Sequence, residues 1–245
     1  MKNPSAPWII FDMDEVIVNG RDCLALHLNN HTGKNITADE WVQYDLCKTY
    51  DIDHPTLLDL FHSSKMLETA LLEPDVAQAM ALAKSQGYQI GILTARGWHN
   101  DGLALTMAAV QNFALPVDHV VAVPLDAKKH EVIQNHFQGT IAGFVDDNPP
   151  HVRGVHGLGI PSYVRDRPWN RDLVEHPRVF HLVDFIEQVN VIHSKKTTPV
   201  NTYSIYCQPP SGTQLARFYL RFPILTSIVN QGPIHPLLEC FYFQR

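Results

Sequence analysis

A chain of 245 residues, 45% of them apolar or aromatic, can bury one good core and leave room for a small second lobe. Its 25 acidic residues outnumber 19 basic ones, and the formal net charge of -6 argues against a surface built for nonspecific nucleic-acid binding and in favour of small soluble substrates. Cys23, Cys47, Cys207 and Cys240 form no C-x-x-C pair and follow no secretory leader, so neither a disulfide framework nor a zinc site is signalled and a reducing, cytoplasmic setting is expected. No membrane anchor is expected either, because the apolar stretch from Phe218 to Val229 is broken by Arg221 and Pro223 and is too short to span a bilayer.

The first predicted strand, about residues 8–12, carries Trp8, Ile9, Ile10 and Phe11 and is apolar on both faces, as a central parallel strand covered by helices should be. It runs into Asp12 and Asp14, which a strand turns to the same side. Two neighbouring carboxylates repel unless a cation, a shared proton or water relieves them; the plainer reading of Asp-x-Asp is a turn or helix cap. Residues 21–73 lack a comparable β-branched run. Leu24 and Leu28 share a helical face that Gly33 ends, and Thr37 with Glu40 reads as a capping box opening a helix through Trp41 and Tyr44. This segment reads as a small helical insertion, with a plain piece of the helical layer as the alternative.

From Pro74 a regular alternation begins. Val76, Ala79, Met80 and Ala83 repeat at helical spacing and Gly87 closes that helix; a strand follows over 89–94. Leu103, Met107 and Val110 mark the next helix, 120–123 a short buried strand, Val132, Ile133 and Phe137 another helix, and 140–147 the next strand. A short strand at 162–164 and a helix over 183–192 complete the pattern. Strand and helix in such alternation predict an α/β fold, a doubly wound Rossmann-like parallel sheet with ligands at the carboxyl ends of its strands. The expected division is a core over 1–20 and 74–193, a helical cap over 21–73, and a tail over 194–245. The only acid after Ser194 is Glu239, and the tail shows neither helical nor strand period, so it is expected to be poorly ordered.

That topology brings four features to one sheet edge: Asp12 and Asp14, Thr94 with Arg96 after it, Lys128 and Lys129, and Asp146 with Asp147. Four carboxylates, a hydroxyl and a lysine together suit one divalent cation and one phosphoryl group. In order and spacing, DMDEV, ILTAR, the lysine at 129 and VDDNP resemble the four motifs of the haloacid dehalogenase superfamily over roughly residues 8–165. The resemblance implies an aspartyl phosphate formed on Asp12, Asp14 as general acid and base, and Thr94 and Lys129 on the phosphoryl group. It also implies Mg2+ held by Asp12, the backbone carbonyl of Asp14, and Asp146 or Asp147. Glu15 stands where many members carry Gly. Lys129 is preferred to Lys128 because Val132 and Ile133 follow it at three and four residues.

Residues 27–46 and RPWNR at 167–171 are similar to the deoxyribonucleotidase group, which implies a magnesium-dependent phosphomonoesterase of nucleoside monophosphates. On that similarity Trp41 or Tyr44 would stack on a base, and Arg96, Arg165 or Arg171 would contact phosphate or sugar. The TAR of the second motif also resembles the phosphatase half of polynucleotide kinases, so a 3′-phosphatase of nucleic-acid ends is an alternative that the acidic balance makes less attractive. A phosphate-accepting receiver module is the second alternative, although its acids fall on different strands and no such insertion follows its first strand.

Overall fold

The computed structural model describes residues 6–197, 203–205 and 218–220. The chain opens with strand β1 (Trp8–Phe11) and the short β2 (Val18–Asn19), passes through helices α1 (Arg21–Thr32), α2 (Leu46–Tyr50), α3 (His54–Ser63) and α4 (Met66–Thr69), and returns through β3 (Leu71–Leu72). Helix and strand then alternate through α5 (Val76–Ser85), β4 (Gln89–Thr94), α6 (Gly102–Asn112), β5 (His119–Ala122), α7 (Lys129–His136), β6 (Ile141–Asp146), α8 (Pro149–His156) and β7 (Ser162–Arg165). The short β8 (Arg178–Val179) and α9 (Leu182–Thr197) follow.

Six strands make one parallel sheet in the order β5-β4-β1-β6-β7-β8, with β1 between β4 and β6. The expected α/β parallel architecture is present. Alternation along β1 sends Ile9 and Phe11 into one core with Val76, Met80, Phe185 and Val189, and Ile10 into another with Ile133, Phe137 and Phe144. Close packing depends on Gly91 in β4, where a Cβ would lie 2.3 Å from the Phe137 ring.

The chain leaves and re-enters this core through one narrow ladder. β2 and β3 pair antiparallel, Val18 with Leu72 and Asn19 with Leu71, so the two ends of the helical segment are stapled together. Between them the helices have their own apolar centre, in which Leu24, Leu28, Trp41, Tyr50 and Leu57 are buried. Asp45 and Asp53 cap α2 and α3 by accepting from the amides of Cys47 and Thr56.

Two local expectations differ from the structure, and two short features were not expected. The Thr37–Glu40 capping box forms, yet it opens only a single 3-10 turn over Ala38–Glu40. Trp41 turns inward instead, its indole donating to the Tyr50 hydroxyl at 3.1 Å, and burial of that ring wins over continuation of the helix. In α6, Leu103 and Met107 are exposed, and the helix buries Gly102 and Thr106. The ladder of β2 with β3 and the edge strand β8 are too short for periodicity to reveal.

A second unit, residues 196–245, contains the antiparallel pair β9 (Tyr203–Ile205) and β10 (Phe218–Leu220), with Phe218 opposite Ile205. The expectation of a poorly ordered tail over 194–245 falls mainly outside the described residues. No helix among those described is long and apolar enough to cross a membrane.

Candidate active site

β1 ends at Phe11, and the Asp12 amide donates to the Val145 carbonyl at 3.0 Å, which fixes the first residue beyond the strand against β6. The chain then folds into a tight turn: the amides of Ile17 and Val18 reach back to the Met13 carbonyl, and the Glu15 amide donates to the Val18 carbonyl. Glu15 holds φ at 61°, a left-handed conformation in which glycine is strain-free. The turn sets Asp12 and Asp14 at the carboxyl end of the central strand.

Lys129, in the first turn of α7, is wholly buried there. Its Nζ lies 2.8 Å from Asp12 Oδ1 and 2.7 Å from Asp146 Oδ2, so one ammonium bridges two strand ends. Lys128 stays at the surface and pairs with Glu131. Burial works against the Lys129 charge, but Asp12 and Asp146 hold it above the ordinary lysine range. Asp146 also accepts from the Asn148 amide at 2.8 Å and faces His151 Nδ1 at 3.4 Å. Burial pushes Asp146 up, yet Lys129 and His151 outweigh it and bring its carboxyl to about 2. Asp12 is pushed up to about 6, chiefly by burial that Lys129 only partly offsets, with Asp146 and Asp14 adding to the rise.

Asp147 completes a group of three buried carboxylates, Asp12, Asp146 and Asp147, with ligating oxygens all within 4.8 Å of one another. Trp169 donates its indole to Asp147 Oδ2 at 3.0 Å, and Asn170 holds the Asp147 carbonyl at 2.7 Å. Burial and the charges of Asp146 and Asp12 push Asp147 well above the ordinary carboxylate range. Three such carboxylates around one ammonium carry more negative charge than the site neutralises, which suits a hard divalent cation bound through oxygen.

Thr94, at the end of β4, is buried and its hydroxyl has no hydrogen-bond partner among the described residues. Its side chain lines the same cavity as Asp12 and Lys129. An unspent hydroxyl beside a lysine is a ready anchor for an anionic oxygen.

Arg96 stands behind Asp14. It is 1% exposed and grips Asp14 with two bonds, Nε to Oδ2 at 2.8 Å and Nη2 to Oδ1 at 2.7 Å. Burial disfavours its charge, but Asp14 holds the guanidinium above its ordinary value. It does not line the cavity. Arg165 reaches Glu73, Asp75 and the Phe180 carbonyl, and Arg171 pairs with Asp166, so neither arginine joins the site.

The cavity holds about 390 Å³ between the strand ends and the helical segment, a volume suited to a small-molecule ligand. Its floor is Asp12, Asp14, Thr94, Lys129 and Asp147, and its apolar wall includes Tyr44, Phe61, Trp98 and Trp169. Tyr44 and Trp169 meet edge to face, with centroids 6.4 Å apart. Trp41 also borders the cavity, but its ring and indole N–H are committed to Tyr50. Periodicity gave no reason to single out Trp98, Trp169 or His151 as cavity residues. For Trp169 the only signal was its place in RPWNR.

Glu15 has more partners than its motif position suggested. Its carboxylate meets Arg21 Nε at 2.7 Å and Arg167 Nε at 3.5 Å and accepts from the Gly20 amide. Arg167 in turn binds Glu73, at the return of the helical segment. The turn carrying Asp12 and Asp14 is thereby tied to both ends of the segment.

No family model and no curated protein matches the sequence. Among solved structures, a haloacid dehalogenase-like hydrolase from Streptococcus pneumoniae superposes with a TM-score of 0.56 at 14% identity, covering 75% of this chain and 98% of that one. A predicted phosphatase from Clostridium acetobutylicum gives a TM-score of 0.58 at 13% identity, over 76% and 99% of the two chains. A hydrolase of the same superfamily, subfamily IA, from Geobacter sulfurreducens gives 0.51 at 15% identity, over 76% and 98%. The chain therefore has the fold of the haloacid dehalogenase-like hydrolases.

Proposed function

We propose that this chain is a haloacid dehalogenase-superfamily hydrolase, a magnesium-dependent phosphomonoesterase that acts through an aspartyl phosphate on a nucleoside or deoxyribonucleoside monophosphate. The observation that carries the reading is Lys129, wholly buried and bridging Asp12 and Asp146 beside Asp147, on the floor of a cavity with aromatic walls.

Asp12 is the nucleophile. Its Oδ attacks phosphorus, the bond to the ester oxygen breaks, and Asp14, protonated on an oxygen released from the Arg96 fork, supplies the proton that the departing oxygen needs. Water then returns a proton to Asp14 and attacks the same phosphorus, releasing phosphate and freeing Asp12. Attack of a carboxylate on a dianion is opposed by repulsion, which Lys129 and the Thr94 hydroxyl reduce by holding the nonbridging oxygens. Mg2+ bound by Asp12, Asp146 and Asp147, with the Asp14 carbonyl, would supply the remaining neutralisation of charge. Tyr44, Trp98 and Trp169 offer ring surface for the flat apolar part of a nucleotide. The segment α1–α4 is the cap that closes this wall.

The test is phosphate release from deoxyribonucleotides, ribonucleotides, sugar phosphates and a 3′-phosphorylated oligonucleotide, each with Mg2+ and with a chelator. Metal-dependent preference for nucleoside monophosphates is expected, with Asp12→Asn inactive and folded. Release from the oligonucleotide alone would move the function to end repair. No release from any of them by folded protein would overturn the reading.

A further inference from the structure

Outside the acidic centre, one other group of donor atoms converges among the described residues: Asp45, Cys47 and His54. Their ligating atoms all lie within 4.8 Å of one another, and Cys47 Sγ is 3.4 Å from His54 Nδ1. The fold brings them together through two adjacent helix starts. Asp45 is the N-cap of α2, Cys47 stands in its first turn, and His54 is the first residue of α3, delivered there by the turn over residues 51–53. The spacing in sequence matches no familiar metal motif, because the third ligand comes from the next helix.

We propose that Asp45, Cys47 and His54 form a second cation site, of the zinc class, at the rim of the cavity. The donor set decides the class of ion. A thiolate and an imidazole select a borderline-soft ion over magnesium, whereas the all-carboxylate group of Asp12, Asp146 and Asp147 selects a hard one. The spacing fits as well. Ligands about 2.3 Å (sulfur) and about 2.0–2.1 Å (nitrogen) from a tetrahedral ion lie roughly 3.5 Å apart, close to the observed separation of Sγ and Nδ1. Binding replaces the Cys47 S–H proton, which leaves to solvent, and no oxidant or reductant is involved.

Two contacts compete with the ion. Asp45 accepts from the Cys47 amide at 3.1 Å through Oδ1, and Lys48 approaches Oδ2 at 3.6 Å. The first leaves a carboxylate oxygen available, and the second is a solvent-exposed pair of small energetic weight. Three protein ligands leave a fourth position for water or a bound anion. Since Asp45 and His54 also line the cavity, the ion would fix the α2–α3 corner of its wall. The inference rests on this geometry and not on the proposed reaction.

The experiment is cobalt(II) and zinc(II) titration of the full chain under reducing conditions, with excess Mg2+ present to occupy the acidic centre. The expected result is one equivalent bound with the near-ultraviolet thiolate charge-transfer absorption and strong visible bands of tetrahedral cobalt. Cys47→Ser should abolish the absorption. His54→Gln, at an exposed position where folding is not at risk, should weaken zinc binding by more than the about 10- to 100-fold that losing an outer-shell partner costs. A folded protein that gives no thiolate absorption, or one whose absorption persists in Cys47→Ser, would overturn the proposal.

Discussion

Arg96 holds both carboxylate oxygens of Asp14, at 2.8 and 2.7 Å, and this bidentate clamp fixes the direction in which Asp14 presents itself to the cavity. The clamp is itself braced. Arg96 reaches Thr106 Oγ1 at 3.4 Å, and Thr106 donates to the Gly102 carbonyl at 2.7 Å. Gly102 lies so close beneath that an added Cβ would meet the Arg96 carbonyl oxygen at 2.0 Å.

Arg96→Lys keeps the charge and loses the fork. If Arg96 orients Asp14, kcat should fall about 10- to 100-fold with KM little changed, a fraction of what acid-base catalysis contributes. If it contacts phosphate, as the similarity to the deoxyribonucleotidase group implied, KM should rise instead. Steady-state kinetics on the best substrate of the panel separates the two.

Lys129→Met should be destabilising as well as inactivating. It strands Asp12 and Asp146 around an apolar side chain, and removing one partner of a buried ion pair costs about 3–5 kcal/mol. Added Mg2+ should restore part of the lost stability without restoring activity. Denaturant melts with and without the metal, run beside phosphate release, check both halves.

Asp147→Asn should act in opposite directions on the two states of the protein. Without metal it removes one of three crowded carboxylates, and the melting temperature should rise or hold. With metal, the wild type should gain about 2.7 kcal/mol at a hundredfold excess over Kd, and the variant should gain far less. Thermal melts across a magnesium series report the crossing.

The sheet and its acidic edge were legible because long apolar runs and repeated helix-strand alternation are strong local signals. Strand ends then placed Asp12, Thr94 and Asp146 on one side, whereas choosing Lys129 over Lys128 at the following helix start took the motif resemblance as well. What stayed hidden depends on side-chain contacts between distant residues. The bidentate partner of Arg96 could not be read, because nothing nearby in sequence shows that Asp14 takes its fork. Trp41 and Tyr44 were equal candidates for a stacking ring, but Tyr50, nine residues on from Trp41, draws that indole into the helical core. Glu15 looked like a tolerated departure from glycine, yet its partner Arg21 opens the insertion and its partner Arg167, far beyond it in sequence, binds Glu73 at the insertion's end.

Glu15→Gln tests that last point. It leaves Arg21 and Arg167 facing a neutral amide, but Arg167 keeps Glu73 and burial already pushes the Glu15 carboxyl up to about 7, so a loss of about 1 kcal/mol is expected. The loss should appear in denaturant melts, and protease should cut the segment over 21–73 faster than in the wild type. Unchanged melting and cleavage would mean that the pairing of Val18 with Leu72 holds the segment by itself.

The pH dependence of stability should carry a signature of His176, far in kind from the carboxylate centre. This histidine is buried, packs edge to face against His156 with centroids 4.8 Å apart, and its Nδ1 has no hydrogen-bond partner among the described residues. Burial lowers its affinity for a proton below the ordinary histidine value, and His156 lowers it further. The folded state therefore holds the neutral ring while the unfolded chain takes up a proton near pH 6.5, so the unfolded state binds more protons in that range. Stability is complete above that pH and falls as the pH drops through it toward the lower folded value. His176→Gln keeps a polar ring-sized side chain without a titrating group, and its melting temperature should decline less than that of the wild type between neutral and mildly acidic pH. Parallel slopes in the two proteins would show that protonation of His176 is not coupled to folding.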